Sequence, residues 1–261
     1  MQATSISTSA PLDDARLDRY ARHIVLKEIG GAGQRRLLAA TVAVIGAGGI
    51  GAPVIQYLAA AGVGRIRVID DDKVCLDNLQ RQILFGTADV GRAKIEASAD
   101  AVARMDPDIV FEGVATRLMP DNAPSLLVGA DVIVDGSDNF ATRLAVSDAA
   151  TAAHIPLVSA AIGQFQVQIG TFRGWEPGRP CYRCYVGDAF DAEDCDTCSE
   201  LGVLGAMAGL AGSWAALEAI RAIVPFGEDP LGKLHIFDGL TPKLRTIRIA
   251  KDPACRACAG G

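Results

Sequence analysis

The feature that most constrains this chain is a glycine-rich turn between an apolar strand and a helix. Thr41–Ile45 (TVAVI) is apolar and rich in β-branched residues, and it leads directly into GAGGIG at residues 46–51. Glycine suits such a turn because the backbone must bend tightly and approach phosphate closely, while helix N–H groups face the negative charge. The pattern alone is weakly specific, but this strand–turn–helix context predicts a nucleotide site at Gly46, Gly48 and Gly51.

The rest of the chain alternates strand-like and helix-like segments. The predicted strands after the first are residues 66–69, 109–115, 131–134 and 157–161, and the predicted helices are residues 52–61, 91–105 and 140–153. This alternation predicts an α/β fold with a Rossmann-like, mainly parallel sheet. Polar–apolar alternation over residues 165–172, and a hairpin pattern over 233–237 and 243–249, predict antiparallel C-terminal strands.

Composition and charge exclude several classes of protein. Half of the 261 residues are hydrophobic and 21% are charged, which suits one large core and a single domain over residues 1–261. The net charge of -6 argues against general nucleic-acid binding. Residues 1–10 are polar and lack the pattern of a signal peptide, so we expect a disordered tail and a cytoplasmic protein.

One apolar stretch, residues 201–217, requires a choice between a buried helix and a membrane span. Ser213 interrupts the stretch, and the charged Glu218 and Arg221 follow it at once. Basic flanking loops, which are typical of spanning helices, are missing from the sequence around it. We therefore predict a buried helix and no contact with a membrane.

Polar residues after the predicted strands are candidates for binding the nucleotide. Asp70 ends the second strand, where it can accept hydrogen bonds from ribose hydroxyls, although it could also be a simple turn residue. Arg81 and Lys94 could clamp phosphates with Asn78 as a neutral donor, but such residues are more often solvated at the surface. Asp138 follows the fourth strand and could hold Mg²⁺, although an aspartate just before a helix is usually a cap.

Six of the seven cysteines form three C-x-x-C pairs, which are Cys181/Cys184, Cys195/Cys198 and Cys255/Cys258. Any two pairs could supply the four thiolates of a zinc site, and their spacing does not choose between them. A redox dithiol is the alternative for a single pair. The seventh, Cys75, we predict to be a small buried hydrophobic residue.

These features together resemble the ThiF/MoeB/HesA family, which is related to the adenylation half of ubiquitin-activating enzymes. The resemblance covers nearly all of residues 19–258, and its closest branch is that of molybdopterin-synthase adenylyltransferases, followed by the thiamin-pathway branch. The segments that carry it are RYARHI at 19–24, GAGGIG at 46–51, DDD at 70–72, NLQRQ at 78–82, Lys94, SDN at 137–139, CYRC at 181–184, TC at 197–198 and CRAC at 255–258.

The resemblance implies an ATP-dependent adenylyltransferase acting on the C-terminal Gly-Gly carboxylate of a ubiquitin-like sulfur-carrier protein. It implies that ATP would contact Gly46, Gly48, Gly49, Gly51, Asp70, Asp72, Asn78, Arg81 and Lys94. Asp138 would bind Mg²⁺, and Arg22 would contact phosphates held by the neighbouring subunit of a homodimer. The resemblance selects Cys181, Cys184, Cys255 and Cys258 as the zinc ligands within a cysteine-rich excursion at 174–200 and the C-terminus.

Further implications concern sulfur chemistry. Cys198 matches the reactive cysteine of the family, while Cys195 departs from the family pattern and leaves open a metal-binding or pairing role for both. The sequence shows no rhodanese-like domain, so we expect a separate sulfur donor. The implied catalytic set is Arg22, Arg81, Lys94, Asp138 and Cys198.

Two other functions share part of this pattern. An NAD-dependent oxidoreductase would use the glycine turn and Asp70, but it would leave Arg81, Lys94 and Asp138 without a role. A non-catalytic scaffold for a ubiquitin-like protein would not need cations for phosphate. Comparing the binding of Mg-ATP with that of NAD would distinguish an oxidoreductase, and an assay of pyrophosphate exchange would distinguish a scaffold.

Overall fold

A computed structural model of the chain describes residues 12–187 and 202–259, so Cys195 and Cys198 lie outside the described residues. Its strands are β1 (Thr41–Ile45), β2 (Arg65–Ile69), β3 (Val110–Val114), β4 (Val132–Asp135), β5 (Leu157–Ile162), β6 (Gln166–Phe172), β7 (Lys233–Asp238) and β8 (Lys243–Arg248). They form one eight-stranded sheet in the order β3-β2-β1-β4-β5-β6-β7-β8.

The sheet has a parallel half and an antiparallel half, as the sequence predicts. The first five strands pair in parallel, with β1 at the centre between β2 and β4. The last three add antiparallel strands next to β5. The chain adds strands on one side of β1 up to β3 and then on its other side from β4 onward, so the strand order reverses between β1 and β4. Open α/β sheets place a crevice for ligands at such a point.

Helices cover both faces of the parallel half. They are α1 (Asp14–Arg19), α2 (Ala21–Ile24), α3 (Gly30–Ala39), α4 (Gly51–Ala60), α5 (Lys94–Met105), α6 (Ala123–Leu127), α7 (Phe140–Ala153), α8 (Tyr182–Val186) and α9 (Gly205–Ile223). Side chains of β1 alternate between two buried clusters: Val42 and Val44 pack in one, and Ala43 and Ile45 in the other. Burial on both faces explains why this strand is apolar throughout.

The long apolar helix is α9, which packs on α4 and on the sheet. It begins at Gly205 instead of residue 201, because Gly202 has φ of +74°, outside the helical region. It also continues past the predicted end. Glu218 is buried but accepts hydrogen bonds from Trp214 (3.3 Å) and Arg221 (3.0 Å), so its charge is compensated. Among the described helices, none is both long and apolar enough to cross a bilayer.

Two local expectations are wrong. The helix predicted over residues 91–105 starts only at Lys94, since Gly91 adopts φ of +92° and Ala93 forms an isolated β-bridge with Lys73. Cys75 is exposed and not buried, because it lies in the surface loop that follows β2.

Candidate functional site

A cavity of about 530 Å³ opens at the carboxyl ends of β1, β2, β4 and β5. The predicted residues that line it are Gly46, Gly48, Gly49, Asp70, Asp72, Asn78, Arg81, Lys94 and Asp138. Segments that are far apart in the sequence meet here because parallel strands end at the same edge of the sheet. The structure therefore brings together most of the candidates, with Gly51 just behind the lining.

The glycine turn needs glycine at two positions for different reasons. Gly46 has φ of +83°, a conformation that side chains disfavour. A Cβ atom on Gly51 would lie 1.8 Å from the carbonyl oxygen of Gly46, so only glycine lets the helix start so close to the strand. The turn thus points the N-terminus of α4, with its partial positive charge, toward the cavity.

Asp70 is fixed at the end of β2 by two backbone donors. Its Oδ2 accepts from the N–H of Ala47 at 2.7 Å, and its Oδ1 accepts from the N–H of Asp72 at 2.8 Å. Burial raises the pKa of Asp70 above its usual value, although the charge of Lys94 and these two donors act in the opposite direction. The carboxylate is therefore held rigidly where a ribose could bind.

The two predicted phosphate ligands both face the cavity. The side chain of Lys94 is 5% exposed and its Nζ lies 2.8 Å from Oδ2 of Asp72. Arg81 donates from Nη1 to the carbonyl oxygen of Asp77 at 3.1 Å. This hydrogen bond fixes the guanidinium group relative to the loop after β2. Lys94 is thus held in place at the cavity by the carboxylate of Asp72.

The loop after β4 carries Asp138 and ends in a helix cap. Asn139 caps α7 by accepting from the N–H of Thr142 at 2.8 Å, so the capping role considered for Asp138 belongs to its neighbour. Two residues that line the cavity have a buried side-chain oxygen with no hydrogen-bond partner among the described residues: Ser137 of this loop, through Oγ, and Gln82, through Oε1. Such acceptors suit hydrated Mg²⁺, so the residues present fit this ion.

Sequence reasoning missed Arg143. This residue of α7 lines the cavity, although its side chain is largely buried. It donates to the carbonyl oxygens of Ser137 and Ala160, the latter at 2.8 Å, and to Oγ of Ser159 at 3.2 Å. It therefore ties the Asp138 loop to β5. The only signal in the sequence is its position four residues after the cap Asn139.

Four cysteines form a separate cluster at one end of the molecule. The Sγ atoms of Cys181, Cys184, Cys255 and Cys258 all lie within 4.8 Å of one another. Three of the separations are 3.4, 3.6 and 3.8 Å. Thiolates around a tetrahedral zinc ion at about 2.3 Å would be about 3.8 Å apart. Because the observed separations are close to this value, the cluster could hold a metal ion.

The described lining of the cavity does not include Arg22, which is exposed on the short helix α2. Its neighbours hold that helix firmly. Tyr20 donates to Oδ2 of Asp106 at 2.7 Å, and Nδ1 of His23 lies 3.1 Å from Oε1 of Gln34. Arg22 is thus an exposed residue of an anchored segment and does not line the cavity of its own chain.

The fold and this site define a class of protein: an α/β enzyme with a nucleotide cavity at the carboxyl edge of its sheet and a four-cysteine cluster that could hold a metal ion. Comparison with known proteins then identifies the family. The model of the ThiF family matches residues 20–257, and the chain belongs to that family.

Relatives with assigned names agree with this placement. The chain is 42% identical over 250 residues to the SAMP-activating enzyme E1 of Haloferax volcanii, with 96% of this chain and 92% of that one covered. It is 40% identical to the sulfur carrier protein adenylyltransferase of Thermus thermophilus (93% and 90% covered). It is 36% identical to the molybdopterin-synthase adenylyltransferase of Salmonella typhimurium (95% and 99% covered).

Among solved structures, that of Escherichia coli MccB with MccA-N7isoASN superposes with a TM-score of 0.81 at 22% identity, over 93% of this chain and 74% of that one. At this identity the likeness concerns the fold alone. The names of the relatives confirm the predicted enzyme class, an adenylyltransferase.

Proposed function

We propose that the protein adenylylates the C-terminal Gly-Gly carboxylate of a ubiquitin-like sulfur-carrier protein with ATP, forming an acyl-adenylate and pyrophosphate. The observation that carries this proposal is the convergence of the glycine turn, Asp70, Arg81, Lys94 and Asp138 on one cavity. The relatives named for sulfur-carrier and molybdopterin-synthase adenylylation support it. We propose a carrier of the molybdopterin-synthase small-subunit type, with a thiamin-pathway carrier as the alternative.

In this reaction the carrier carboxylate attacks the α-phosphorus of ATP and pyrophosphate leaves. The carboxylate is ionised at neutral pH, so its attack needs no strong general base. The main obstacle is repulsion between anions together with charge that grows on the phosphoryl oxygens. Arg81 and Lys94 would offset both, and the N-terminus of α4 would add a further positive end.

The remaining residues would bind and orient ATP. Asp70 would accept hydrogen bonds from the ribose hydroxyls, and Asn78 would donate to a phosphate. Asp72 would hold Lys94 in place until phosphate arrives. Asp138 would hold Mg²⁺, which supplies positive charge to the phosphates when bound.

The proposal also assigns roles to Arg22, to the four clustered cysteines and to a separate sulfur donor. Arg22 would contact phosphates bound by the neighbouring subunit of a homodimer, which agrees with its exposure and its absence from the lining of its own cavity. Cys181, Cys184, Cys255 and Cys258 would hold zinc in a structural role. We further propose that this chain works as one adenylation domain and receives sulfur from a separate donor protein.

Replacing Asp138 tests the central assignment. We expect Asp138→Ala to abolish carrier-dependent exchange between ATP and pyrophosphate, since the phosphates would lose their metal ligand. Asp121→Ala, which removes an exposed carboxylate outside the cavity, is the matched control and should retain activity. Near-normal exchange in the Asp138 variant would refute the metal assignment. Running the assay against a panel of carriers that end in Gly-Gly would identify the pathway.

The proposed role of Cys198 has its own test. Its thiolate would attack the carbonyl of the acyl-adenylate and displace AMP, giving a thioester with the carrier. Cys198→Ala should keep adenylation and lose the thioester adduct between carrier and enzyme, which is detected by its cleavage with hydroxylamine or an excess of thiol. Such an adduct in the variant would assign the reaction to another residue.

A further inference from the structure

The segment that carries Arg22 is attached to two helices that begin beside the cavity. We call residues 19–24 the Arg22 segment. The helix α5 begins at Lys94, which lines the cavity, and its 12 residues place its other end about 18 Å away. The helix α4 begins directly after the glycine turn at the same edge of the sheet. The contacts that fix the segment lie at the C-terminal ends of these two helices, at the opposite end from the cavity.

The first anchor is a buried hydrogen bond from Tyr20 to Asp106, the residue that directly follows α5. The hydroxyl group donates to Oδ2 at 2.7 Å, and both side chains are buried. The neighbouring Arg19 donates from Nη1 to the carbonyl oxygen of Met105, the last residue of the helix, at 2.8 Å. Hydrogen bonds to a carboxylate are shorter and stronger than those between neutral groups. The C-terminal end of α5 therefore fixes where Tyr20 lies.

The ring of Tyr20 also lies against the end of α4. A Cβ atom on Gly62, two residues after that helix, would lie 2.4 Å from Cζ of the ring. Gly62 also has φ of +77°, a backbone conformation that other residues rarely adopt. Glycine at this position thus leaves the space that the buried tyrosine ring fills.

The second anchor joins His23 to the end of α4 through a single amide group. The side chain of Gln34, on α3, is fully buried and donates from Nε2 to the carbonyl oxygen of Ala61 at 2.9 Å. Its Oε1 lies 3.1 Å from Nδ1 of His23. An amide oxygen only accepts hydrogen bonds, so Nδ1 of this histidine must carry the hydrogen and donate it. His23 is therefore fixed by the same end of α4 that contacts Tyr20.

Arg22 lies between these two anchors in a single turn of helix. The N–H groups of His23 and Ile24 both donate to the carbonyl oxygen of Tyr20, at 2.9 and 3.0 Å. A helix of four residues is not stable alone, so the turn depends on the tertiary contacts on both sides of Arg22. The Arg22 side chain itself is exposed. An arginine whose backbone is held in this way loses less conformational entropy when it binds a phosphate.

We infer that Tyr20 and His23 are positioning residues, which fix the backbone of Arg22 for binding phosphates held by the neighbouring subunit. This inference rests on the proposed function, in which Arg22 contacts ATP bound by that subunit. A substitution at either position should therefore weaken the site of the other subunit and not the site of its own. Residues that only stabilised their own chain would weaken the site of that chain instead.

A mixed dimer with one complete site tests this direction of action. One chain carries Asp138→Ala and the other Arg22→Ala, each with its own affinity tag, and the mixed dimer is isolated through both tags. The Arg22→Ala chain then holds the complete site, and the Asp138→Ala chain supplies its arginine. Tyr20→Phe, which removes only the hydroxyl group bound to Asp106, is placed in either chain in turn. Isothermal titration calorimetry measures the Kd for ATP with excess MgCl₂.

We expect Tyr20→Phe to raise this Kd by about tenfold when it lies in the Asp138→Ala chain, since a hydrogen bond to a charged group contributes at least that factor. In the Arg22→Ala chain it should leave the Kd unchanged, because that chain supplies no arginine to the complete site. His23→Leu should show the same dependence on placement. Tyr57→Phe, which alters an exposed tyrosine of α4, is the matched control and should have no effect in either chain.

An equal Kd for both placements of Tyr20→Phe, whether changed or unchanged, overturns the inference while the proposed function stands. If Tyr20→Phe prevents assembly, His23→Leu decides by the same comparison. A mixed dimer that native mass spectrometry shows to be intact, yet that lacks the high-affinity site of the wild type, would overturn the role of Arg22 in the neighbouring subunit and this inference together. A wild type that does not bind Mg-ATP would overturn the proposed function itself.

Discussion

Asp70 shows how burial and hydrogen bonding act against each other at a single residue. Burial raises its pKa, yet two backbone N–H groups and the nearby Lys94 favour the ionised form. The net result is a raised pKa, so acidification protonates this carboxyl at higher pH than an exposed aspartate. A protonated carboxyl can no longer accept on both oxygens, and a ribose would lose its partner.

We therefore expect affinity for adenosine to fall as pH is lowered from 7 to 4.5. Adenosine has no phosphate that titrates in this range, so the change reports on the protein. Once the pH is below the pKa of Asp70, affinity should fall by up to about tenfold per pH unit. Isothermal titration calorimetry would measure it.

Asp121→Asn should follow the same pH profile as the wild type, because its carboxylate is exposed and outside the cavity. Asp70→Asn should bind adenosine weakly at every pH. Wild-type affinity for adenosine in Asp70→Asn at pH 7 would contradict the assignment of Asp70 to the ribose.

The residues that sequence reasoning found and missed at the site differ in one physical respect. Gly46 and Asp70 follow strands directly and Asp138 lies three residues after β4, so local sequence places them at the carboxyl edge of the sheet. Arg143 has a role that depends on the carbonyl of Ala160, which only the folded sheet brings close. Arg22 is recognisable by resemblance, but its contact would lie in another subunit.

At the scale of elements, α9 shows why a glycine-rich helix is found in a protein core. A Cβ atom on Gly212 would lie 2.3 Å from Cγ of Pro53 and 2.4 Å from the carbonyl oxygen of Ile50, both in or beside α4. Around Gly209 nothing lies within 4 Å of the added atom. The first glycine allows the two helices to approach closely, and the second only weakens the helix.

This contrast predicts opposite effects of two alanine substitutions in one helix. Gly209→Ala should raise the free energy of unfolding by about 0.5–1 kcal/mol, through helix propensity alone. Gly212→Ala should lower it by about 1–3 kcal/mol, because α9 and α4 must move apart. Urea denaturation of the two variants beside the wild type measures both. Equal effects of either sign would show that the close approach of α9 and α4 does not matter.

Element positions were predictable where hydrophobic pattern and turn chemistry agree. The five parallel strands and α7 follow such patterns closely. The start of α5 was not predictable from composition, because Arg92 and Ala93 have high helix propensity, yet Gly91 adopts a positive φ and its N–H donates to the carbonyl oxygen of Val74. The short helices before α3 are too short to show a helical repeat of hydrophobic residues. Tertiary hydrogen bonds, such as that from Tyr20 to Asp106, stabilise them.

At the scale of the whole molecule, the four-cysteine cluster joins residues 255–258 to the segment after β6. Residues 255–258 lie in turns whose contacts with the rest of the protein include the cysteines themselves. A metal ion there would bind the folded state and not the unfolded chain, so binding would contribute directly to stability.

Metal analysis should therefore find one zinc ion per chain, and chelation should lower the melting temperature. A net loss of about 3 kcal/mol corresponds to roughly 6–12 °C for a protein of this size. Cys184→Ser should lower the melting temperature by a similar amount and should not retain zinc. Cys75→Ser, which alters an exposed thiol outside the cluster, is the control and should keep both properties. Full zinc content in Cys184→Ser would contradict the site.

The proposed homodimer predicts complementation between inactive variants. Arg22→Ala and Asp138→Ala should each abolish exchange alone. Mixed subunits that reassociate at random should recover about a quarter of wild-type activity, because half of the dimers are mixed and each has one intact site. Exchange by the mixture is measured after cycles of mild dissociation. No recovery, with mixed dimers shown by native mass spectrometry, would place Arg22 in its own subunit's site.

The outermost strand, β8, pairs on one side only within the described residues, and all six of its residues are exposed. An open strand edge is a template on which further chains can stack into insoluble assemblies. Here Lys243, Arg245 and Arg248 make that edge basic although the chain as a whole is acidic. Two copies meeting edge to edge would bring like charges together, so this strand protects the protein against its own aggregation.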